Sequence, residues 1–182
     1  MNHYPYLHVA RGRLLSHDTQ YTIHDVTKRL ITDTPLYLLD TDGIATNRPN
    51  YNTFQRLSSH ADLWIDAGPR SLEDLVDIVM AGATAIILRT NLWSQLDTHE
   101  ILDITDCTLY AYYEHEQTEI PPDMNGLILP YNGNLLPQRP LQHSSLPAYL
   151  LNLTDTDQYP HDPTLAGVFL DFPTTMQEEH HE

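Results

Sequence analysis

Two short apolar runs with a well-capped helix between them constrain this chain more than any other feature. Residues 62–66, Asp-Leu-Trp-Ile-Asp, and 84–88, Thr-Ala-Ile-Ile-Leu, are apolar on both faces. That pattern belongs to strands of a parallel sheet covered by helices. Between them, Ser71-Leu72-Glu73-Asp74 reads as a capping box, in which the serine caps the helix and the acid three residues on reaches back. Leu72, Leu75, Val76 and Val79 recur at helical spacing, and Gly82 is placed to end the helix. Residues 62–89 are therefore one strand–helix–strand unit, with the helix predicted over 71–81. A third run, 35–40, Pro-Leu-Tyr-Leu-Leu-Asp, precedes it, followed by a short helix over 51–60 marked by Tyr51, Phe54 and Leu57. Asp40 to Asp66 is 26 residues and Asp66 to Arg89 is 23. A strand period of that length gives a (βα) barrel or a doubly wound sheet.

The second half is punctuated differently. Asp97-Thr98-His99-Glu100 opens a helix to about residue 105, and strands are predicted at 108–113, 126–130, 148–153 and 166–171. Nine of the 13 prolines follow residue 120, and seven of them fall in the gaps between those strands. A parallel crossover needs about a dozen residues, usually helical. The outer helices of the C-terminal third are therefore expected to be shortened or replaced by loops.

Charge is unevenly spread. The chain carries 25 acidic and 9 basic residues, net −16. The first 91 residues hold 10 acids and 8 bases; the last 91 hold 15 acids and one base, Arg139. No basic face exists to neutralise nucleic-acid phosphates or an anionic membrane surface. Any anionic ligand is expected against the first half. Cys107 is the one cysteine, which excludes an internal disulfide and a thiolate zinc site. Schiff-base chemistry would have to use Lys28, the one lysine. Met1–Tyr6 has neither a basic nor an apolar stretch of a signal peptide, and no apolar run approaches ~18 residues, so a soluble cytoplasmic protein is expected.

Three segments resemble one family. Leu36-Tyr37-Leu38-Leu39-Asp40-Thr41-Asp42-Gly43-Ile44 is similar to a strand end of the HisA/HisF family, the (βα)8 sugar-phosphate isomerase and cyclase of histidine biosynthesis. Asp66-Ala67-Gly68-Pro69-Arg70-Ser71 is similar to its third-strand turn, and Ala81–Thr84 with Ile87-Leu88-Arg89-Thr90 to its fourth strand. The Asp-Ala-Gly-Pro-Arg variant looks most like the HisA-related proteins of methanogens and methylotrophs, which the resemblance ties to tetrahydromethanopterin-linked one-carbon metabolism. It implies an α/β fold: a compact, diverged TIM-type (βα) barrel over residues 1–173, with 174–182 an acidic polar tail. The departures are specific. Laying Pro5–Gly12 on the family's first strand puts His8 where a catalytic aspartate stands. On the fifth strand Glu114 is nearby and no aspartate is. Leu151–Asp155 and Leu170–Pro173 stand where the family keeps glycine-rich phosphate loops.

The candidate residues follow. Gly68, Arg70 and Ser71 lie between a strand end and a helix N-terminus, and Arg89-Thr90 end the next strand; together they could hold a phosphate or carboxylate. Equally, Ser71 only caps its helix and Arg70 pairs with Asp40 or Asp66. Asp40, Asp42 and Asp66 cluster at successive strand ends. They suit acid/base work with His8 or Glu114 opposite, or a buried pairing with Arg48, Arg70 or Arg89. Asp40 and Asp42 could instead hold Mg²⁺, but no metal or other cofactor is expected. Tyr110 and Tyr112 face one side of their strand and could line a pocket. Two functions compete. One is an isomerase or lyase acting on a small phosphorylated sugar-like metabolite. The other is a non-catalytic barrel that serves a protein partner as a subunit or assembly factor.

Overall fold

The computed structural model describes residues 2–31, 33–115, 118–133, 145–153, 159–160, 162 and 164–172. The 174–182 tail and Arg139 lie outside them. Among the described residues there are ten strands: β1 (Asn2–Ala10), β2 (Arg13–Ser16), β3 (Thr19–Tyr21), β4 (Leu36–Asp40), β5 (Leu63–Asp66), β6 (Ala83–Leu88), β7 (Thr108–Tyr112), β8 (Gly126–Tyr131), β9 (Ala148–Asn152) and β10 (Leu165–Asp171). Helices α1 (Ile23–Arg29), α2 (Thr41–Thr46), α3 (Tyr51–Leu57), α4 (Leu72–Met80) and α5 (Thr98–Leu102) all fall in the first 102 residues.

Eight of the strands close on themselves. β1 and β4 to β10 pair side by side, and β10 returns to β1. Every pairing in that ring is parallel. This is a closed parallel barrel of TIM-like type, reached in far fewer residues than the ~250 typical of the fold. The predicted strands and the capped helix agree with β4–β10 and α4 to within two residues. The proline-punctuated gaps do carry parallel crossovers, and the described residues after Leu102 contain no helix.

Pro5–Ala10, laid on the family's first strand, lies within β1, and the chain reverses directly after it. β1 begins at Asn2 and ends at Ala10, so Arg11-Gly12 is not strand but a two-residue turn, with φ of 51° and 71°. Two positive φ values in a row match the twist of a hairpin. The chain then doubles back twice, β2 running antiparallel to β1 and β3 antiparallel to β2. Neither this hairpin nor α2 was expected from the sequence.

Two separate cores result. Outside the barrel, Leu38, Ile65, Ile86 and their neighbours pack under Phe54, Leu75 and Ile78 of the helices. Inside, Tyr6, Tyr37, Tyr110, Tyr112 and Phe169 form the lumen with Leu39, Ile87, Ile128 and Leu151, and Trp64 and Tyr149 pack against them. Trp64 stacks on Tyr110 at 4.3 Å between ring centroids, and Tyr37 meets Phe169 at 4.8 Å. Branched aliphatic layers are usual in such barrels; here aromatic rings take the volume, with polar tips that need partners.

Candidate functional site

The C-terminal ends of parallel barrel strands form one face, where chemistry is built in this fold class. β5 ends at Asp66, which is fully buried. Arg89, just past β6, grips it with two bonds, Nε to Oδ1 at 2.8 Å and Nη2 to Oδ2 at 2.6 Å. The Tyr37 hydroxyl donates to Oδ2 at 2.8 Å, and the guanidinium lies 3.5 Å over the Tyr112 ring. Burial alone would lower the Arg89 pKa, but the Asp66 carboxylate outweighs it and raises it further. Burial drives the Tyr37 hydroxyl far up, so it remains a donor. Asp66 and Arg89 are brought together, and each satisfies the other.

Asp40 is equally engaged. Oδ1 accepts from the Asp42 and Gly43 amides, both at 3.1 Å, and from Asn50 Nδ2 at 2.9 Å; Oδ2 accepts from the Asn50 amide at 2.7 Å. It is the N-cap of α2. Burial raises its pKa against the pull of those donors. Asp42 accepts from Asn50 Nδ2 at 3.0 Å and from the Arg11 amide. The Asn50 amide group thus sits between the two carboxylates that a Mg²⁺ would have to bridge. Among the described residues, no three His, Cys, Asp or Glu side chains could hold a metal. Gly43 is required here: a Cβ on it would lie 2.5 Å from the Ala67 carbonyl oxygen.

The Gly68–Ser71 turn starts α4 as the capping pattern predicts. Ser71 Oγ accepts from the Asp74 amide at 3.2 Å, while the Asp74 carboxylate accepts from the Arg70 amide at 3.0 Å, one residue before the cap. Gly68 has φ +62°, and a Cβ there would meet Leu92 Cδ1 at 2.7 Å. Arg70 turns inward, Nη2 donating to the Ile44 carbonyl at 2.8 Å, with Nε buried and unpartnered. Thr90 and Glu114 line a cavity of about 250 Å³ with Tyr112 and His115, and Thr90 also lines a neighbouring one of about 490 Å³ beside Trp93.

A constellation that the sequence reading missed lies at the β1–β10 seam. Asp171, 7% exposed, ends β10. Its Oδ2 accepts from the Tyr6 hydroxyl at 3.0 Å and faces His17 Nε2 at 3.3 Å, while Oδ1 accepts from Ser16 Oγ at 3.3 Å. His8, on the same strand as Tyr6, has its ring 5.5 Å from the Tyr6 ring. These groups line a cavity of about 350 Å³ with Asp18 and Thr41. Burial raises the Asp171 pKa, against the pull of His17 and of its hydroxyl donors. Burial lowers the His8 pKa; Asp171 opposes that and His17 adds to it. His17 sits at a β2–β3 turn position with φ 49°. The one signal for this cluster is that His8 interrupts the apolar run of β1 and Asp171 falls at the polar end of β10; nothing in the local sequence brings His17 back to them.

The barrel with a polar, ionisable C-terminal mouth defines the class of protein as far as geometry carries it. No family model matches the chain, and no curated protein matches it. No helix among the described residues is long and apolar enough to cross a membrane.

Proposed function

We propose that this chain is a diverged HisA/HisF-type barrel enzyme that moves protons on a small molecule at its C-terminal mouth, in the manner of a sugar-phosphate isomerase. The supporting observation is the Asp171–His8–His17 cluster around one cavity at the strand ends. His8, its pKa lowered, is held neutral and can accept a proton from a carbon beside a carbonyl. The released electron pair moves onto the carbonyl oxygen to give an enediolate, the adjacent hydroxyl passes its proton to that oxygen, and the proton held by His8 is delivered to the former carbonyl carbon, which leaves the carbonyl on the neighbouring one. Asp171 balances the imidazolium formed meanwhile. Tyr6 and Ser16 hold Asp171 in place.

Resemblance of residues 36–44 and 66–71 to the HisA-related proteins carries the rest of this reading. It gives a cytoplasmic role beside tetrahydromethanopterin-linked one-carbon metabolism rather than histidine synthesis, a phosphorylated sugar-like substrate, and outer helices shortened or lost in the C-terminal third. A second reading, a non-catalytic barrel acting as a subunit or assembly factor, is favoured by one observation. Arg89, one of the two cations expected to hold a phosphate, is paired with Asp66, and Arg70, the other, gives Nη2 to the Ile44 carbonyl.

Incubation with a panel of phosphorylated aldoses and ketoses in D₂O separates the two. Solvent deuterium appearing at a substrate carbon, and lost in His8→Gln and Asp171→Asn, is the enzyme outcome. No binding by thermal shift and no deuterium incorporation across the panel rejects it in favour of the subunit.

A further inference from the structure

We propose that the Asp171 cavity receives a protonated primary amine, so that the reacting end of the ligand is an amino-bearing, hydroxylated small molecule rather than a phosphate. This deepens the proton-transfer reading and rests on it. The cavity is lined by two carboxylates, Asp171 and Asp18, and two imidazoles, and no lysine or arginine is among its described lining residues. A dianion there would face two carboxylates with no fixed cation opposite, in a chain of net −16.

The hydrogen bonds specify the donor. Oδ2 of Asp171 is served by Tyr6 at 3.0 Å and His17 at 3.3 Å, but Oδ1 receives one bond, from Ser16 at 3.3 Å. A carboxylate oxygen carries two lone pairs, and bonds at that distance are long for oxygen donors. An ammonium supplies three donors and a charge, and one of its hydrogens satisfies Oδ1 at charge-assisted strength. The hydroxyl of Thr41 is already directed to the Val9 carbonyl at 3.2 Å, so its oxygen remains an acceptor for a second ligand hydrogen. A metal ion is a poorer occupant, since no three ligating side chains converge among the described residues. Leu15 and Leu153 close the apolar side of the cavity, against which the carbon frame of the ligand lies.

Three matched sugars test this at pH 7: glucosamine, glucose and glucose 6-phosphate, each titrated into the protein while the imidazole C–H signals of His8 and His17 are followed by NMR. Glucosamine should shift both, while glucose and glucose 6-phosphate, which lack the ammonium, should each do so about tenfold more weakly. Asp171→Asn should weaken glucosamine at least about tenfold, the loss of one charge-assisted bond. Asp18→Asn, an exposed turn position, should weaken it about two- to threefold without disturbing the core. Equal shifts from glucose 6-phosphate and glucosamine, or none from glucosamine, overturn the amine assignment. If deuterium exchange on the sugar-phosphate panel then still depends on Asp171, the proton-transfer reading survives without it.

Discussion

Arg89 and Asp66 close on each other through two parallel hydrogen bonds of 2.8 and 2.6 Å, with the arginine side chain 12% exposed and the aspartate side chain fully buried. The residues that the strand-end pattern marks as an acid and a cation of an active site are thus partners of one another. A buried pair of this kind is costly to break from one side, because the survivor keeps its charge without water. Arg89→Ala should therefore destabilise the fold by about 3–5 kcal/mol. Replacing both residues by apolar side chains of similar volume should cost far less. Tyr37→Phe, which removes one hydrogen bond to a charged group, should cost about 1.5–3 kcal/mol. Urea unfolding of the four proteins measures these differences, and a double variant as unstable as Arg89→Ala would contradict the pairing.

Gly43 explains why an acidic turn in this chain ends in glycine. α2 passes so close to the β5–α4 connection that a Cβ would sit 2.5 Å from the Ala67 carbonyl oxygen, which is backbone and cannot swing away. Gly43→Ala should lower stability by about 1–3 kcal/mol although alanine favours helices. An unchanged denaturation midpoint would show that the two segments are free to separate.

His8 gives a pH dependence of definite sign. Its folded pKa lies below the ordinary value of 6.5, chiefly through burial. The unfolded chain therefore binds the proton more readily, and stability rises with pH across that window. On acidification, stability is lost as pH falls through 6.5 toward the lower folded pKa. The melting temperature of the wild type should drop more steeply from pH 7.5 to 5.5 than that of His8→Gln. Asp171 works at lower pH with its own sign. Its raised pKa means that ionising it costs stability as pH climbs from the unfolded carboxylate range through the folded value. Parallel melting curves for the two proteins would remove His8 from the buried cluster.

Phe169 touches Tyr4, Tyr37, Trp64 and Tyr149 in the lumen. Phe169→Ala should cost about 3–5 kcal/mol, since rings from several strands cannot collapse together into the vacated space. The same change should shift Trp64 fluorescence, because that indole loses a neighbour at 5.3 Å. Stability loss without a spectral shift would mean the damage lies outside the barrel.

The chain should not rescue a strain lacking the histidine-pathway isomerase. That reaction needs two opposed carboxylates able to exchange protons, whereas the oxygens of Asp66 are held by Arg89 and Tyr37 and those of Asp40 by three backbone amides and Asn50. Growth without histidine at ordinary expression would refute this and return Asp40 and Asp66 to the chemistry.

Strand positions were legible because a strand covered on both sides must be apolar on both sides, and 36–40, 63–66, 83–88 and 126–129 are. The α4 start was legible because caps act over three or four residues; Ser71 does cap, and only the reach of Asp74, to the Arg70 amide, departs from the expected box. Local signals of this range lie in the sequence by themselves. What lay beyond them needed the closed ring. Arg70 and Arg89 look alike in sequence, each next to a small polar residue at a strand end, yet one bonds the Ile44 carbonyl and the other Asp66. The side to which each turns depends on which neighbour's acceptor lies within reach. Asp171 meets Tyr6 across 165 residues of chain. Nothing short of barrel closure, which pairs β10 with β1 and sets Tyr6 opposite Asp171, brings them into contact. His17 joins them through a hairpin whose two-residue turns decide its direction. Periodicity and capping thus settled β4 to β10 and α4, while the β2–β3 hairpin, α2 and the partners of the charged groups at the mouth were decided by tertiary structure, because a hydrogen bond forms over about 3 Å of space whatever the separation along the chain.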